Sequence, residues 1–367
     1  MRLMHRKVYE IMNTNNVPLR EKFFGCIAAV HIGSSMGAQV EGWNWKRIQD
    51  TYGTVDKLMP YEHYNNKWVR EPGTTEDGVE RQKLMITSIM NKQDRVTAED
   101  VRKTWCSEIK SVSIGKTSEP FEAVLLKMAK SAIPARELGI YVDHNGLNSF
   151  ARAGHPIGLI NACDPETAAE DMLQVGQLYQ NDQGSGLKWA IVTGVAIAEA
   201  TKPGATADSV IGKIYDLCDP DIVLKELDRL FKHTEHCKDF RELREAFDSV
   251  FNGRGMYYDQ AFANEVVGKA VCVFRMTRGV TKDALLAGVN MGRDTDCVTA
   301  VAAGISGALT GGDSLPAEWV EQVDRAAKMN IYTNTQRTLR EHSDGLYKAY
   351  MARIDKFKTL IALMGGC

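Results

Sequence analysis

The feature of this chain that most constrains its fold is an acidic pair followed directly by a run of small and apolar residues. Asp294 and Asp296 lie two residues apart, after a turn that contains Gly292, and residues 298–308 carry only small or apolar side chains. Such a run predicts a tightly packed core helix, because small side chains let helices approach closely and leave almost no polar face for solvent. The two carboxylates are therefore predicted to lie at the mouth of a buried helix.

A buried acidic pair has two interpretations. Two close carboxylates repel each other and resist burial, which favours a cation as their partner. Oxygen ligands indicate a hard ion, Mg²⁺ before Ca²⁺ or Mn²⁺. The alternative is helix capping, since Asp is a favoured capping residue and suits the positive end of the helix dipole.

Composition excludes several classes of protein. The chain has 367 residues, of which 44% are hydrophobic and 25% charged, so it can bury a substantial core. Its 45 Lys and Arg residues nearly balance 47 Asp and Glu residues, and no long basic block stands out. Nothing electrostatic therefore predicts nucleic acid or an anionic membrane as a partner. No apolar stretch has the roughly 18 residues of a membrane span, and the oligomeric state is left open.

The cysteines predict a reducing compartment. All eight are scattered along the chain, and none forms a C-x-x-C pair. Cys26 and Cys272 lie in apolar runs, where a free thiol behaves as a small hydrophobe. This pattern argues against a disulfide framework. The charged N-terminus also lacks the apolar core of a signal peptide, so we expect a cytoplasmic protein.

Helical patterns recur along the chain, without alternating strands or a βαβ rhythm. We predict a loop with short helical pieces at 44–72, and helices that include 19–30, 97–110, 120–133, 187–200, 206–217, 220–232 and 239–249. The expected fold is all-α, a single compact multi-helix bundle that spans residues 1–367. Within it, 1–18 form an N-terminal lead-in and 330–367 a C-terminal helical extension.

A second acidic group precedes another apolar periodic run. After a Pro-Gly break come Thr75, Glu76 and Asp77, a pattern typical of a helix N-terminus. Capping and complementation of the helix dipole explain this composition. The same three residues also offer oxygen ligands at one point, which makes them candidate partners of Asp294 and Asp296.

Two further segments are candidates for substrate contacts. The loop at 143–149 is rich in Gly and Asn and leads into 150–160. Such a loop can cradle a phosphate with backbone N–H groups, although an ordinary surface loop has the same composition. Glu41 closes a glycine-rich segment at 31–43, and on residue type alone it is more typical of a solvated side chain.

Taken together, these segments resemble the ADP-ribosylglycohydrolase family. The strongest part is 287–296, Ala-Gly-Val-Asn-Met-Gly-Arg-Asp-Thr-Asp, which is similar to the family's A-V-N-x-G-G-D-T-D-T. Four other motifs follow the family's order: the glycine-rich segment with Glu41, 75–77 against T-D-D-T, 148–159 against a substrate loop and P-x-G-L, and 315–319. The family includes the dinitrogenase reductase-activating glycohydrolase and a non-enzymatic lens crystallin.

The resemblance implies an all-α bundle with a cleft between the two acidic motifs, in which one or two Mg²⁺ ions bind, or Mn²⁺ in their place. It implies that the metal ligands are Thr75, Glu76, Asp77, Asp294 and Asp296. The implied catalytic residues are Glu41, which lies over the substrate ribose, and Asp77. The implied substrate-binding residues are Gly146, Asn148, Ser149 and His155.

Departures from the family pattern cluster on this cleft. The family's G-D-A-x-G motif has lost its acid at 33–37, and Glu76 is longer than the usual Asp. Gly78 and Cys297 stand where Thr is usual, which removes two hydroxyl ligands, and a thiol suits Mg²⁺ poorly. Gln180 stands where many members have His. These changes predict the family's fold with an altered site.

We therefore expect a metal-dependent glycoside hydrolase that cleaves the N- or O-glycosidic bond at the anomeric carbon of a ribosyl or ADP-ribosyl substrate. The altered ligand set favours a small ribosylated metabolite or nucleoside. Two alternatives remain open. One is a hydrolase of ADP-ribosylated protein side chains, and the other is a non-catalytic binding or structural relative.

Overall fold

The computed structural model describes residues 17–63, 67–110, 120–142, 145–251 and 259–365, and these are mainly helical, as predicted. Short 3₁₀ or π turns lie at Ala135–Tyr141, Pro220–Leu224 and Asp259–Ala261. The α-helices in chain order are α1 (Leu19–Ala38), α2 (Trp45–Tyr52), α3 (Asp77–Lys92), α4 (Ala98–Glu108), α5 (Pro120–Ala129), α6 (His155–Ile160), α7 (Pro165–Gly176), α8 (Ser185–Ala200), α9 (Ala207–Leu217), α10 (Lys225–His233), α11 (Phe240–Val250), α12 (Ala263–Thr277), α13 (Thr281–Val289), α14 (Thr295–Thr310), α15 (Ala317–Met329) and α16 (Leu339–Leu363).

Helix α14 lies at the centre of the bundle, as its small-residue composition predicts. Every residue from Thr295 to Leu309 is buried. Its most extensive contact is with α1, in which every residue from Gly25 to Ala38 is buried, and α13, α12 and α8 cover its other sides. A helix that is apolar all round is stable only when neighbours enclose it.

Glycines bring the backbones of α1 and α14 into direct contact. A Cβ on Gly25 would lie 2.6 Å from the carbonyl oxygen of Gly307. At the other end of the contact, a Cβ on Gly37 would lie 2.4 Å from the Cα of Asp296, so only glycine fits. The Thr295 hydroxyl also donates to the Gly37 carbonyl over 2.8 Å. The end of α1 thus fixes the start of α14, where the acidic pair lies.

Helix α1 is longer than the predicted helix at 19–30. It runs to Ala38 through Gly33 and Gly37 of the glycine-rich segment. Gly33 and Gly37 lie against Thr299 and Asp296 of α14. The close packing that they permit outweighs their unfavourable helix propensity of about 1 kcal/mol each.

The segment 44–72 contains α2 and a small antiparallel sheet that the sequence did not predict. Tyr61 pairs with Arg70, and Glu62 pairs with Val69. Tyr61 and Arg70 are buried, whereas their neighbours in the strands are exposed. Strands of two residues are too short to give an alternating pattern. The sheet presents Tyr61 and Arg70 to the second acidic motif.

The first part of the predicted C-terminal extension packs into the bundle, whereas residues 355–365 are exposed. Helix α16 begins at a Thr338 capping box with Glu341 and packs against α1 and α3. Thr333, just before it, is fully buried and accepts a hydrogen bond from Lys83 over 2.9 Å. Of the predicted N-terminal lead-in, residues 1–16 lie outside the described residues.

Two general predictions can be compared with the described residues. None of the described helices has the length and hydropathy that a membrane crossing requires. The cysteines of the described part are free thiols, at Cys26, Cys106, Cys163, Cys218, Cys237, Cys272 and Cys297.

Candidate active site

Asp294 and Asp296 begin α14 and are both 3% exposed. Asp294 occupies the N-cap position, but within the part of the chain that the structure describes its side chain makes no capping hydrogen bond. Its Oδ2 instead accepts a hydrogen bond from Asn148 Nδ2 over 2.9 Å. The capping interpretation therefore does not account for Asp294.

The turn before Asp294 has an unusual backbone. Gly292 and Arg293 have φ angles of 78° and 69°, and the second is uncommon for a residue with a side chain. Backbone bonds to the Glu41 segment hold this turn: Arg293 N donates to Trp43 O over 2.6 Å, and Gly42 N donates to Arg293 O over 2.8 Å. The acidic pair is thereby tied to the neighbourhood of Glu41.

One oxygen of each aspartate lacks a partner. Among the described residues, Asp294 Oδ1 and Asp296 Oδ1 are buried and accept no hydrogen bond. Donor atoms of Asp294, Asp296 and Cys297 lie within 4.8 Å of one another. Burial, together with the negative charge of neighbouring carboxylates, raises the pKa of both aspartates. A divalent cation would offset this cost of burial, so this half of the cluster fits a hard ion.

Glu76 of the second acidic motif is enclosed by the small sheet. Its Oε1 lies 2.5 Å from Arg70 Nε and accepts a hydrogen bond from the Tyr61 hydroxyl over 2.6 Å. Burial raises the pKa of Glu76, and the charges of His63 and Arg70 only partly oppose this shift. The lengthened acid at position 76 is thus held by cationic and hydroxyl partners from the protein itself.

Asp77 and Thr75 also have cationic partners. Arg152 contacts both oxygens of Asp77, with Nη1 donating to Oδ1 over 3.0 Å and Nη2 donating to Oδ2. Arg81 Nη2 lies 3.6 Å from the same Oδ2. Thr75 Oγ1 accepts a hydrogen bond from Lys83 over 3.2 Å. While these pairs persist, this half of the cluster does not fit a metal ion.

Glu41 forms an ion pair with His63. His63 Nε2 lies 2.5 Å from Glu41 Oε2, and Nδ1 lies 3.6 Å from Glu76 Oε2. Burial alone would lower the pKa of His63, but the hydrogen bond with Glu41 and the charges of Glu76 and Asp296 outweigh it and raise the pKa to about 9. Glu41 therefore faces an imidazole whose protonated form is favoured.

The predicted substrate loop lies against the acidic pair. Asn148 bonds Asp294 and also donates to the Ala261 carbonyl over 3.0 Å. Ser149 Oγ accepts a hydrogen bond from Arg81 over 3.0 Å. Gly146 packs closely against Phe262: a Cβ at this position would lie 2.8 Å from the ring. Residues 143–144 of the predicted loop lie outside the described residues.

Gln180, which stands at the family's histidine position, supports this loop. It is fully buried, donates from Nε2 to the Leu147 carbonyl over 2.8 Å, and accepts from Phe150 N over 3.3 Å. Gln180 therefore holds the loop in place through these two hydrogen bonds and has a structural function in this chain.

His155 does not join the cluster. Its ring is fully buried and lies against Gly304, where a Cβ would come within 2.6 Å of Cδ2. Gly304 is eight residues beyond Asp296 in α14, about 12 Å along the helix axis. Burial lowers the pKa of His155 to about 4, so the ring is neutral. The structure thus places the His155 ring in the core, away from the acidic cluster, and its contact with substrate stays a prediction.

The structure brings together most of the other site residues that the sequence predicted, namely Glu41, Thr75, Glu76, Asp77, Asn148, Ser149, Asp294 and Asp296. Gly146 lies in the same loop as Asn148 but packs against Phe262. The structure also adds cationic and phenolic partners that the sequence analysis missed, namely Tyr61, His63, Arg70, Arg81, Lys83 and Arg152. Only an indirect feature of the sequence could have indicated these partners. The hydroxyl residues that usually accompany these acids are absent at Gly78 and Cys297, which indicates that another side chain occupies their place in the cleft.

Comparison with known proteins agrees with this architecture. The chain matches the ADP-ribosylglycohydrolase family over residues 15–353. An uncharacterized protein from Archaeoglobus fulgidus is 22% identical over 320 residues, which cover 83% of this chain and 92% of that protein. A solved ADP-ribosylglycohydrolase-related protein complex has a TM-score of 0.64 at 16% identity, covering 91% of this chain and 99% of its own, and this likeness concerns the fold alone. The chain belongs to the ADP-ribosylglycohydrolase family, and this membership supports a glycohydrolase type of enzyme.

Proposed function

We propose that this chain is a metal-dependent glycoside hydrolase that cleaves the N- or O-glycosidic bond at the anomeric carbon of a ribosyl or ADP-ribosyl substrate. The observation that carries the proposal is the pair of unpartnered, buried oxygens on Asp294 and Asp296 beneath the loop of Asn148. A buried acidic pair of this kind is costly unless a ligand neutralises it. Family membership supports the glycohydrolase chemistry.

Asp294 and Asp296 would hold the Mg²⁺ ion, or Mn²⁺ in its place, through their Oδ1 atoms. When bound, such an ion can orient the ribose hydroxyls and lower the pKa of an attacking water. Asn148 fixes the orientation of Asp294 through its hydrogen bond to Oδ2. This hydrogen bond leaves Oδ1 of Asp294 available for the ion.

Glu41 is the better placed of the two predicted catalytic residues. Its Oε2 lies 2.5 Å from Nε2 of His63, whose pKa is raised to about 9. In its ionised form, the Glu41 carboxylate brings a negative charge to the cleft. That charge can stabilise the positive charge that develops on ribose in an oxocarbenium-like transition state. Asp77 is held at both oxygens by Arg152, which leaves it less able to contact substrate.

The substrate that we propose is a small ribosylated metabolite or nucleoside. The support is the altered ligand set, in which Gly78 and Cys297 replace the usual hydroxyls and Arg152 occupies Asp77. Hydrolysis of ADP-ribosylated protein side chains is the alternative within the same chemistry. We also propose a cytoplasmic location, which the free cysteines support.

One observation favours a non-catalytic relative instead. Arg152 neutralises Asp77, which is a predicted catalytic residue. A protein that had lost turnover could retain such a pair, because the fold does not by itself guarantee function.

A substrate panel separates these possibilities. The chain is incubated with Mg²⁺, Mn²⁺ or EDTA and with simple nucleosides, O-acetyl-ADP-ribose, ADP-ribosyl-arginine and ADP-ribosyl-serine, and released ribose species are measured. The proposal predicts metal-dependent release from a small ribosyl compound and none in EDTA. Release only from ADP-ribosyl-amino acids would support the protein-directed alternative. No release from any compound would favour the non-catalytic relative.

A further inference from the structure

Arg152 enters the acidic cluster just before α6 and forms a two-pronged contact with Asp77. Nη1 donates to Oδ1 over 3.0 Å, and Nη2 donates to Oδ2. Both side chains are 9% exposed. A planar guanidinium matches the geometry of a carboxylate, and such paired hydrogen bonds are among the strongest in proteins. Both oxygens of Asp77 therefore have a cationic partner within the protein.

Gly78 provides the space that Arg152 occupies. A Cβ on Gly78 would lie 2.9 Å from Cδ and 3.2 Å from Cγ of Arg152. A threonine at this position would therefore push the arginine away from Asp77. The absence of a side chain at position 78 is a condition for the Asp77–Arg152 pair.

Cys297 also contacts the guanidinium of Arg152. Its sulfur accepts a hydrogen bond from Arg152 Nη1 over 3.4 Å. The two departures at Gly78 and Cys297 lie 219 positions apart in the sequence, yet both contact this one side chain. A single rearrangement around Arg152 accounts for both.

Arginine side chains pair with the carboxylates of the 75–77 motif, whereas the Asp294–Asp296 pair keeps oxygens without a partner in the described part of the chain. Arg70 and Arg152 neutralise Glu76 and Asp77. Among the described residues, the carboxylate oxygens of the two acidic motifs that lack a partner belong to the Asp294–Asp296 pair, at Asp294 Oδ1 and Asp296 Oδ1.

We propose that the guanidinium of Arg152 takes the place of a second metal ion. The chain then binds one divalent cation, at Asp294 and Asp296, while Arg152 supplies the positive charge at Asp77. This inference rests on the proposed function in one respect, that the Asp294–Asp296 pair holds an ion. It adds that Arg152 sets the number of ions.

The stoichiometry of Mn²⁺ binding tests this proposal without any substrate. Equilibrium dialysis counts the bound ions, and electron paramagnetic resonance detects the coupling between two neighbouring Mn²⁺ ions. The wild-type chain should bind one ion and give an uncoupled spectrum. Arg152→Met should bind two, because Asp77 then requires a cation, and its melting temperature should rise more with Mn²⁺ than that of the wild type. Arg152→Lys, which keeps the charge, should bind one.

A second variant keeps the test valid if Arg152→Met fails to fold. Gly78→Thr with Cys297→Thr retains Arg152 but displaces it from Asp77 and adds hydroxyl ligands suited to a hard ion. This double variant should also bind two ions. Arg95→Met is the matched control, since it removes another arginine that bonds both oxygens of an aspartate, Asp171, over 2.8 and 2.7 Å. This control should bind one ion.

Each result decides the proposal. Two ions or no ion in the wild-type chain would overturn it. One ion in both Arg152→Met and the double variant would overturn it as well, because Arg152 would then not occupy an ion's place. A wild-type chain that binds one ion but hydrolyses nothing would refute the proposed function and leave this inference standing. A wild-type chain that turns over substrate with two ions would do the reverse.

Discussion

The side-chain amide of Asn148 donates a hydrogen bond to Oδ2 of Asp294 over 2.9 Å and joins two segments that lie 146 residues apart. Asn148 is 2% exposed, and the same Nδ2 also donates to the Ala261 carbonyl. One side chain thus connects the predicted substrate loop, the start of the acidic helix and the segment before α12. Because the contact is buried and one partner is a carboxylate, its loss is expected to be measurable.

Asn148→Ala should reduce catalysis more than stability. A lost hydrogen bond to a charged group costs about 1–3 kcal/mol, so we expect kcat/KM to fall by about 10- to 100-fold on the substrate that the panel identifies. Steady-state kinetics and a urea unfolding curve measure the two effects. An unchanged kcat/KM would show that the orientation of Asp294 does not depend on this amide.

Gly37→Ala should displace Asp296. The new Cβ would lie 2.4 Å from the Cα of Asp296, and overpacking at such a contact costs about 1–3 kcal/mol or more. We expect a lower free energy of unfolding together with weaker Mg²⁺ binding, measured by denaturant titration with and without the ion.

Gly212→Ala is the control for this substitution. Gly212 is exposed within α9, and a Cβ there meets nothing within 4 Å. Alanine should stabilise this helix by up to about 1 kcal/mol and leave Mg²⁺ binding unchanged. Equal effects of the two substitutions would contradict the close-approach account of Gly37.

Local pattern was sufficient to predict α14 and the position of its acidic pair. The run of small residues from Val298 to Ala308 predicts burial by its composition alone. Asp294 lies just before this run, so its place at the start of the helix follows from adjacent residues. The order of motifs then placed Thr75 to Asp77 at the same cleft. These parts of the site depend on neighbours in the sequence or on a shared pattern.

The charged partners could not be predicted in the same way. Arg152 and Asp77 lie 75 residues apart, and neither His63 nor Arg70 belongs to a periodic segment. Their pairing depends on how loops meet in three dimensions, which leaves no regular spacing in the sequence. His155 shows the opposite limit: its position near a recognisable motif predicts a site residue, whereas its ring packs into the core.

Two buried histidines predict that the chain loses stability in acid. His31 and His342 are 2% and 0% exposed with ring centroids 5.6 Å apart, and burial together with the charge of Lys83 holds the pKa of both well below the ordinary 6.5. The unfolded chain takes up protons that the folded chain does not, so this contribution to stability is complete above pH 6.5 and is lost as pH falls below it. Each histidine should cost about 1.4 kcal/mol between pH 7.5 and pH 5.5.

Urea unfolding of His342→Leu at both pH values measures this effect. The variant should lose about 1.4 kcal/mol less stability than the wild type on acidification. Replacement of the exposed His236 by Gln is the control and should follow the wild type. An identical pH dependence in His342→Leu and the wild type would contradict the burial argument.

Divalent metal should stabilise the folded chain. An ion that binds only the native state at a concentration 100 times its dissociation constant adds about 2.7 kcal/mol. The melting temperature should therefore rise with millimolar Mg²⁺ and fall back with EDTA. Melting curves that coincide under both conditions would count against a metal site at Asp294 and Asp296.

The most direct test of the central claim is the hydrolysis rate of Asp296→Asn. The substitution keeps the size of the side chain and removes the charge proposed to hold the ion, and Asn is tolerated at a helix N-terminus. Asp313→Asn, at an exposed site just beyond the other end of α14, is the matched control. With Mg²⁺ and the substrate from the panel, Asp296→Asn should lose at least about 100-fold in kcat/KM, or about 2.7 kcal/mol, with an unchanged circular dichroism spectrum, whereas Asp313→Asn should match the wild type. Normal turnover by Asp296→Asn would contradict the account.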